Sequence, residues 1–266
     1  MNFRGRWVLL TGASSGLGKE MARQLAFEHG ANLVIVARRQ SLLEELKQEF
    51  EEHAGVQVVT IAADLADLNE VERVLAEASQ GRQLYAAILN AGVTHFGAHH
   101  KLEWSSFQRM LTINVTSVVR MAAELIPIIE KQAEGGGLLF VSSMAGITPV
   151  PYQTAYSATK AFLVHFGCGL WHEMQGRNVS ITTYAPGGIV TEMTAGESFV
   201  PLKRWLVPVS AAAREALSAF VLRKYLHVPG VHNRIGTAIV RMLPQRMVTG
   251  WVASSYRRAL QSTGQI

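Results

Sequence analysis

Residues 7–18 read WVLLTGASSGLG: an apolar run, Trp7 to Leu10, stops at Thr11 and Gly12 and passes through Gly16 and Gly18 into residues 19–26, which have helical periodicity. That order predicts strand, tight glycine turn, helix. Glycine at the close-approach positions lets backbone pass a diphosphate where a Cβ would collide, and the free N-terminal amides of the helix aim at it. The interval from Gly12 to Gly16 is wider than in the usual dinucleotide fingerprint, so the turn alone also admits a generic loop.

Working outward, residues 31–37 form a nearly continuous apolar run of the kind buried on both faces of a parallel sheet, and the run ends in Arg38 and Arg39. An acid at this distance from the turn would bind a free ribose 2′-hydroxyl. Here Ala37 holds that place, followed by two guanidinium groups suited to a 2′-phosphate, unless they merely finish the strand. Further strands are expected over 57–62, 85–89, 138–142 and 179–184, with Gly135, Gly136 and Gly137 as a loose turn. Helices are expected over 41–53, about 68–79, 105–131, 156–174 and 211–222. Asp64, just past the third strand, can reach an adenine edge or cap the helix near Leu68. Asn90, Ala91 and Gly92 are small enough to let a ribose pass close to the chain. Strand and helix alternate throughout, which implies a single α/β domain with a doubly wound parallel sheet and right-handed crossovers.

Tyr156 and Lys160 lie one helical turn apart on one face, and Ser143 ends a strand thirteen residues before the tyrosine. Carbonyl reduction by hydride needs a proton donor on the oxygen. Tyrosine, with a reference pKa of about 10, is a weak acid and in reverse a reluctant base. A lysine ammonium one turn away stabilises the phenolate and holds a cofactor ribose, while a serine hydroxyl bonds the substrate oxygen. Asn114, inside the long helix, is either solvent-facing or pairs its amide with a water or backbone group; one such water would link Lys160 to solvent.

With these residues assembled, the chain resembles the classical short-chain dehydrogenase/reductases over residues 5–225. The resemblance implies a single-domain Rossmann-like fold with a seven-stranded sheet. It implies cofactor contacts at Gly12, Ser14, Ser15, Gly16, Leu17 and Gly18, at Asn90, Ala91 and Gly92, and at Tyr156 and Lys160. Pro186, Gly187, Ile189 and Thr191 match the segment that contacts the nicotinamide ribose and carboxamide. Asp64, with Leu65 beside it, matches the adenine contact, and Arg38, with Arg39 beside it as a further candidate, matches the basic residue of NADP-preferring members. Asn114, Ser143, Tyr156 and Lys160 match the catalytic tetrad. Leu89 stands where a further asparagine is commonest. The family also implies a homodimer or homotetramer packed through the helices of Asn114 and Tyr156. The expected activity is NADP(H)-dependent interconversion of a ketone or aldehyde and an alcohol. The other class the turn allows is a non-catalytic dinucleotide-binding redox sensor or interaction module, and the complete tetrad favours the enzyme.

Substrate identity rests on the surrounding residues: His95, Phe96, Met144, Ile147, Val150, Tyr152, Gly188, Met193 and Phe199 are mostly apolar, with no arginine placed to clamp a carboxylate. They suit an aliphatic, acyl or steroid-like compound. His95, His99 and His100 lack the rigid frame a metal site needs, so no metal is expected. Seven of the 25 basic residues and none of the 20 acidic ones lie beyond Glu215, leaving residues 1–215 with 18 basic against 20 acidic side chains. The basicity belongs to the C-terminal segment, which argues against nucleic-acid binding by the main body. We therefore divide the chain into a catalytic domain, 1–230, and a basic amphipathic extension, 231–266. In the extension Ile235, Ile239, Met242, Leu243, Met247, Val248, Trp251 and Val252 recur at helical spacing, interrupted at Pro244 and Gly250. That pattern suits a peripheral membrane or partner contact, or a helix capping the pocket or the subunit interface. Cys168 is alone, so no internal disulfide or cysteine-built metal site is expected, and no apolar run reaches about 18 residues, so no spanning helix is expected; an N-terminus without a signal pattern leads us to expect a cytoplasmic protein.

Overall fold

The computed structural model describes residues 1–191, 206–230, 233, 234, 236, 237 and 243–261. Seven parallel strands form one sheet: β1 (Trp7–Thr11), β2 (Asn32–Ala37), β3 (Val58–Ala62), β4 (Leu84–Leu89), β5 (Gly136–Val141), β6 (Val179–Tyr184) and β7 (Leu226–His227). Their spatial order is β3-β2-β1-β4-β5-β6-β7. The direction of winding reverses between β1 and β4, which opens a crevice at the carboxyl ends of these two strands.

Alternation along the strands splits the core in two. Val8, Leu10, Leu33 and Ile35 face one side, where they meet α1 (Gly16–Phe27), α2 (Gln40–Ala54) and α7 (Val209–Val221). Leu9, Val34 and Val36 face the other, against α3 (Leu68–Ser79), α5 (Ser117–Glu130) and α6 (Thr154–Glu173). Because both faces are covered, β4 and β5 are buried at every position, which explains their unbroken apolar sequence.

The long helix expected over 105–131 is α4 (Trp104–Leu111) continued into α5 through a π-helical stretch, Thr112–Thr116, which carries Asn114. Taken together, residues 104–130 are long and apolar enough to cross a membrane by length and composition, but half of their most apolar stretch is buried inside the fold.

Two expectations are corrected. Only Gly135 belongs to the turn before β5; Gly136 and Gly137 are in the strand. A Cβ on Gly136 would lie 1.9 Å from the Tyr85 carbonyl oxygen, and one on Gly137 2.4 Å from Ser180 Oγ, so glycine here permits close approach of neighbouring chain. Gly250 does not interrupt the C-terminal helix: α8 (Gln245–Gln261) starts directly after Pro244 and runs through it. Met193 and Phe199, expected near the substrate, fall in residues 192–205, outside the described residues. Ile235, Ile239 and Met242 of the amphipathic stretch also lie outside them.

Candidate active site

The glycine turn is clamped from three sides. Thr11 Oγ1, at the end of β1, accepts from the amides of Asn90 (3.0 Å) and Ala91 (3.1 Å), and Asn90 Nδ2 donates to the Thr11 carbonyl at 2.9 Å. The amides of Gly12 and Ala13 both donate to the Val36 carbonyl of β2. Gly12 has φ 71°, and a Cβ on Gly18 would lie 2.1 Å from the Gly12 carbonyl oxygen, so neither position tolerates a side chain. Ser15, the N-cap of α1, makes no side-chain capping bond, and the first turn of α1 holds no acid. Its amides and positive dipole end are left for an external anion, which fits the diphosphate of a dinucleotide.

Arg39 donates to Ser14 Oγ at 3.2 and 3.4 Å, bringing the end of β2 onto the glycine turn, while Arg38 beside it is exposed. The two uses open to Asp64 separate here: Asp67, not Asp64, caps α3, accepting from the Asn69 amide at 2.9 Å. Asp64 instead accepts from the Ala66 amide at 3.1 Å and from Arg109 Nη2, which stands 2.9 Å from each carboxylate oxygen. Burial alone would raise its carboxyl, but the Ala66 and Arg109 hydrogen bonds, with the fields of Arg109 and Arg38, hold it below the usual carboxylate value. Arg109 was not among the sequence candidates. No local spacing links it to Asp64, 45 residues away, because α4 meets the end of β3 only in the fold.

At the carboxyl end of β5, the Ser143 hydroxyl accepts from the Ala145 amide at 3.1 Å and donates to the Pro186 carbonyl at 3.5 Å, and it lies near enough to the Tyr156 hydroxyl to favour the phenolate. Lys160 Nζ sits 5.8 Å from the centre of the Tyr156 ring and donates to the Val141 carbonyl at 2.9 Å. Burial pushes the Tyr156 hydroxyl up to about 12, against the neighbouring Ser143 hydroxyl, which pulls it down; the nearby Tyr256 adds to the rise. Burial pushes Lys160 down to about 8. Asn114 is fully buried, which excludes the solvent-facing alternative: its amide accepts from Val93 N and donates to Val93 O, each at 2.9 Å, and donates to Thr159 Oγ1 at 3.0 Å. Thr159 in turn donates to the Tyr156 carbonyl at 2.7 Å. It therefore ties the π-helical stretch to the turn of α6 that carries tyrosine and lysine, a role that its place between the two did not announce.

The loop after β4 joins turn and cluster. A Cβ on Gly92 would stand 3.3 Å from Lys160 Nζ and 3.4 Å from Asn114 Oδ1. After β6 the Pro186 carbonyl accepts from the Met144 amide at 2.8 Å, and Thr191 reaches back to Gly16, where a Cβ would touch its methyl at 3.1 Å. Segments distant in sequence thus line one crevice. Its rim includes α8, also missed in residue detail: Tyr256 packs on Phe96 with ring centres 5.4 Å apart, and Arg257 Nε donates to the Tyr152 hydroxyl at 3.0 Å. Tyr152 itself adopts φ 66°.

The family described as short chain dehydrogenase matches residues 6–198. Over 197 residues the chain is 32% identical to the very-long-chain 3-oxoacyl-CoA reductase-A of Danio rerio, covering 71% of this chain and 60% of that protein. It is 37% identical over 208 residues to a hydroxysteroid 11-beta-dehydrogenase 1-like protein of Gallus gallus, with 74% and 70% covered. The alignments with the first three curated relatives span 54–60% of their lengths. Among solved structures, a short-chain dehydrogenase from Sphingobium yanoikuyae in complex with NADPH superposes with TM-score 0.81 at 26% identity, covering 92% of this chain and 95% of that one. A 3-ketoacyl-(acyl-carrier-protein) reductase from Brucella melitensis complexed with NADH superposes with TM-score 0.76 at 25% identity, covering 86% and 98%.

Proposed function

The chain belongs to the short-chain dehydrogenase family, and from that premise we propose that it is an NADP(H)-dependent oxidoreductase interconverting an apolar ketone or aldehyde with its alcohol. The observation that carries this reading is the convergence of Ser143, Tyr156 and, one turn on, Lys160, whose Nζ lies 5.8 Å from the tyrosine ring centre, joined through Gly92 to a glycine turn whose helix amides are open. When bound, the nicotinamide supplies or takes up the hydride. Tyr156 gives its phenolic proton to the carbonyl oxygen, and Ser143 orients that oxygen. The Lys160 ammonium stabilises the phenolate left behind. Asn114 and Thr159 hold the α6 turn in register. A tyrosine pushed up to about 12 remains protonated at neutral pH, which suits it to donate in the reducing direction.

Preference for NADP(H) is supported by Arg38 and Arg39 at the end of β2, with no acid there to take the 2′-hydroxyl. NADPH and NADH each occur in a similar solved structure, so this preference belongs to the residues of this chain and not to the fold. An apolar substrate is supported by Phe96, Tyr152 and Tyr256 on the rim and by the apolar residues Met144, Ile147 and Val150 in the segment between β5 and α6. The names of the acyl-CoA reductase and hydroxysteroid dehydrogenase relatives agree with it. We place the protein in the cytoplasm, with α8 as part of the site's wall.

The test is NADPH oxidation against ketones and aldehydes graded in chain length and ring content, with NADH in parallel and Tyr156→Phe as the blank. We expect Tyr156-dependent turnover that improves with apolar size and favours NADPH. Tight NADPH binding with no turnover anywhere in the panel would instead favour the sensor class.

A further inference from the structure

The 2′-phosphate reading of Arg38 meets an electrostatic difficulty close by. Ala37 and Ala62 are register partners in β2 and β3, and the Ala63 amide bonds to the Ala37 carbonyl at 3.0 Å. Arg38, one residue past β2, and Asp64, two past β3, therefore leave the same sheet edge side by side. The field of Arg38 is felt at the Asp64 carboxylate. A free carboxylate there would draw Arg38 toward itself and repel a dianionic phosphate arriving at the same edge.

The third charge at this place is Arg109, from α4. One of its guanidinium nitrogens lies 2.9 Å from both Asp64 oxygens, whereas Arg38 makes neither a hydrogen bond nor an ion pair among the described residues. We propose that Arg109 is a cofactor-specificity residue acting through Asp64: by engaging that carboxylate it leaves Arg38 available to the 2′-phosphate of NADP(H). Arg109 is thus a positioning residue, and its effect falls on the choice between the two dinucleotides. The inference rests on the NADP(H) reading above.

The ion pair is about one-third to two-fifths exposed, so its influence is screened and modest. The experiment measures dissociation constants of NADPH and NADH for the full chain, by quenching of tryptophan fluorescence, in the wild type, R109Q, R109K, D64N, the D64N/R109Q double variant and R38Q. Any contact of residue 64 with adenine is common to both cofactors and cancels in the ratio of the two constants. In R109Q we expect the preference for NADPH to fall about fivefold, chiefly through weaker NADPH binding. R109K should retain most of the preference. The double variant should regain it to within twofold, because an amide at position 64 no longer competes for Arg38. Equal weakening of both cofactors in R109Q, or a double variant no more selective than R109Q, would overturn the proposal. R38Q separates this idea from its premise. Selective loss of NADPH binding in R38Q beside an unselective R109Q removes the Arg109 role alone, whereas unchanged NADPH binding in R38Q removes both.

Discussion

Tyr156 and Lys160 share one turn of α6, yet burial moves their protons in opposite directions, the phenol up to about 12 and the ammonium down to about 8. Both shifts disfavour charge, and both bear on measurable quantities. Replacing Tyr156 by Phe keeps the ring and removes the proton, so turnover should fall by at least about a hundredfold. The NADPH dissociation constant should stay within about twofold, since the diphosphate and adenine contacts lie elsewhere; retained turnover would refute the proton-donor role. For Lys160 the pH dependence follows from linkage. Its unfolded value is the ordinary 10.5 and its folded value is lower, so between about pH 8 and 10.5 the unfolded chain binds more protons. Stability contributed by this group therefore rises with pH across that window, and its full cost is present below pH 8. Urea unfolding of the wild type against Lys160→Met should show the wild type gaining about 1 to 2 kcal/mol on the variant between pH 7.5 and 9.5. A pH-independent difference would mean that the lysine is not desolvated as the geometry implies.

At the level of elements, α8 shows both what periodicity reveals and what it hides. A helical pattern is legible over its apolar residues, and Pro244 marks its start, but glycine is intrinsically a poor helix former, so from sequence alone Gly250 reads as a break. In the fold, the helix gains enough from Val248, Leu260 and the Tyr256–Phe96 packing to carry it through. A Cβ on Gly250 meets open space, so Gly250→Ala should stabilise the protein by about 0.5 to 1 kcal/mol, raising the melting temperature by roughly 2 °C. Destabilisation by alanine would mean that residue 250 is not held in a regular helix. The same helix walls the site, so Tyr256→Ala should raise KM for bulky ketones severalfold while leaving NADPH affinity unchanged; kinetics across the ketone panel would show it, and an unchanged KM would place α8 outside the pocket. The strands were legible because burial on both faces makes them continuous apolar runs flanked by turn residues. The glycines of β5 were misjudged for the converse reason, since nothing local distinguishes a glycine that turns the chain from one that makes room for Tyr85 and Ser180. Asp64 and Arg109 were harder still, because an ion pair formed across 45 residues leaves no periodic trace.

For the whole molecule, the surface left by α4, α5 and α6 is the feature that an isolated chain does not explain. Trp104 is 67% exposed, Phe162 43%, Leu111 40% and Ile128 37%, although these helices turn their opposite sides into the core. Isolated apolar residues on a surface need no account, but large aromatic ones on the two helices that carry Asn114 and Tyr156 match the association surface that the family resemblance implies. Aromatic anchors at the centre of such surfaces typically contribute about 2 kcal/mol or more each. Sedimentation velocity at micromolar concentration should therefore find the wild-type chain as a dimer or tetramer, and the W104E/F162E double variant, which places two carboxylates on each copy of the contact, as a monomer. Since neither residue is in the sheet core or beside the glycine turn, the variant should keep its circular dichroism spectrum and its affinity for NADPH, which separates loss of assembly from loss of fold. A wild-type chain that sediments as a monomer would remove the assembly altogether. An oligomeric wild type with an equally oligomeric variant would move the contact to another face, and α8, which exposes Met247 and Trp251, would be the next surface to alter.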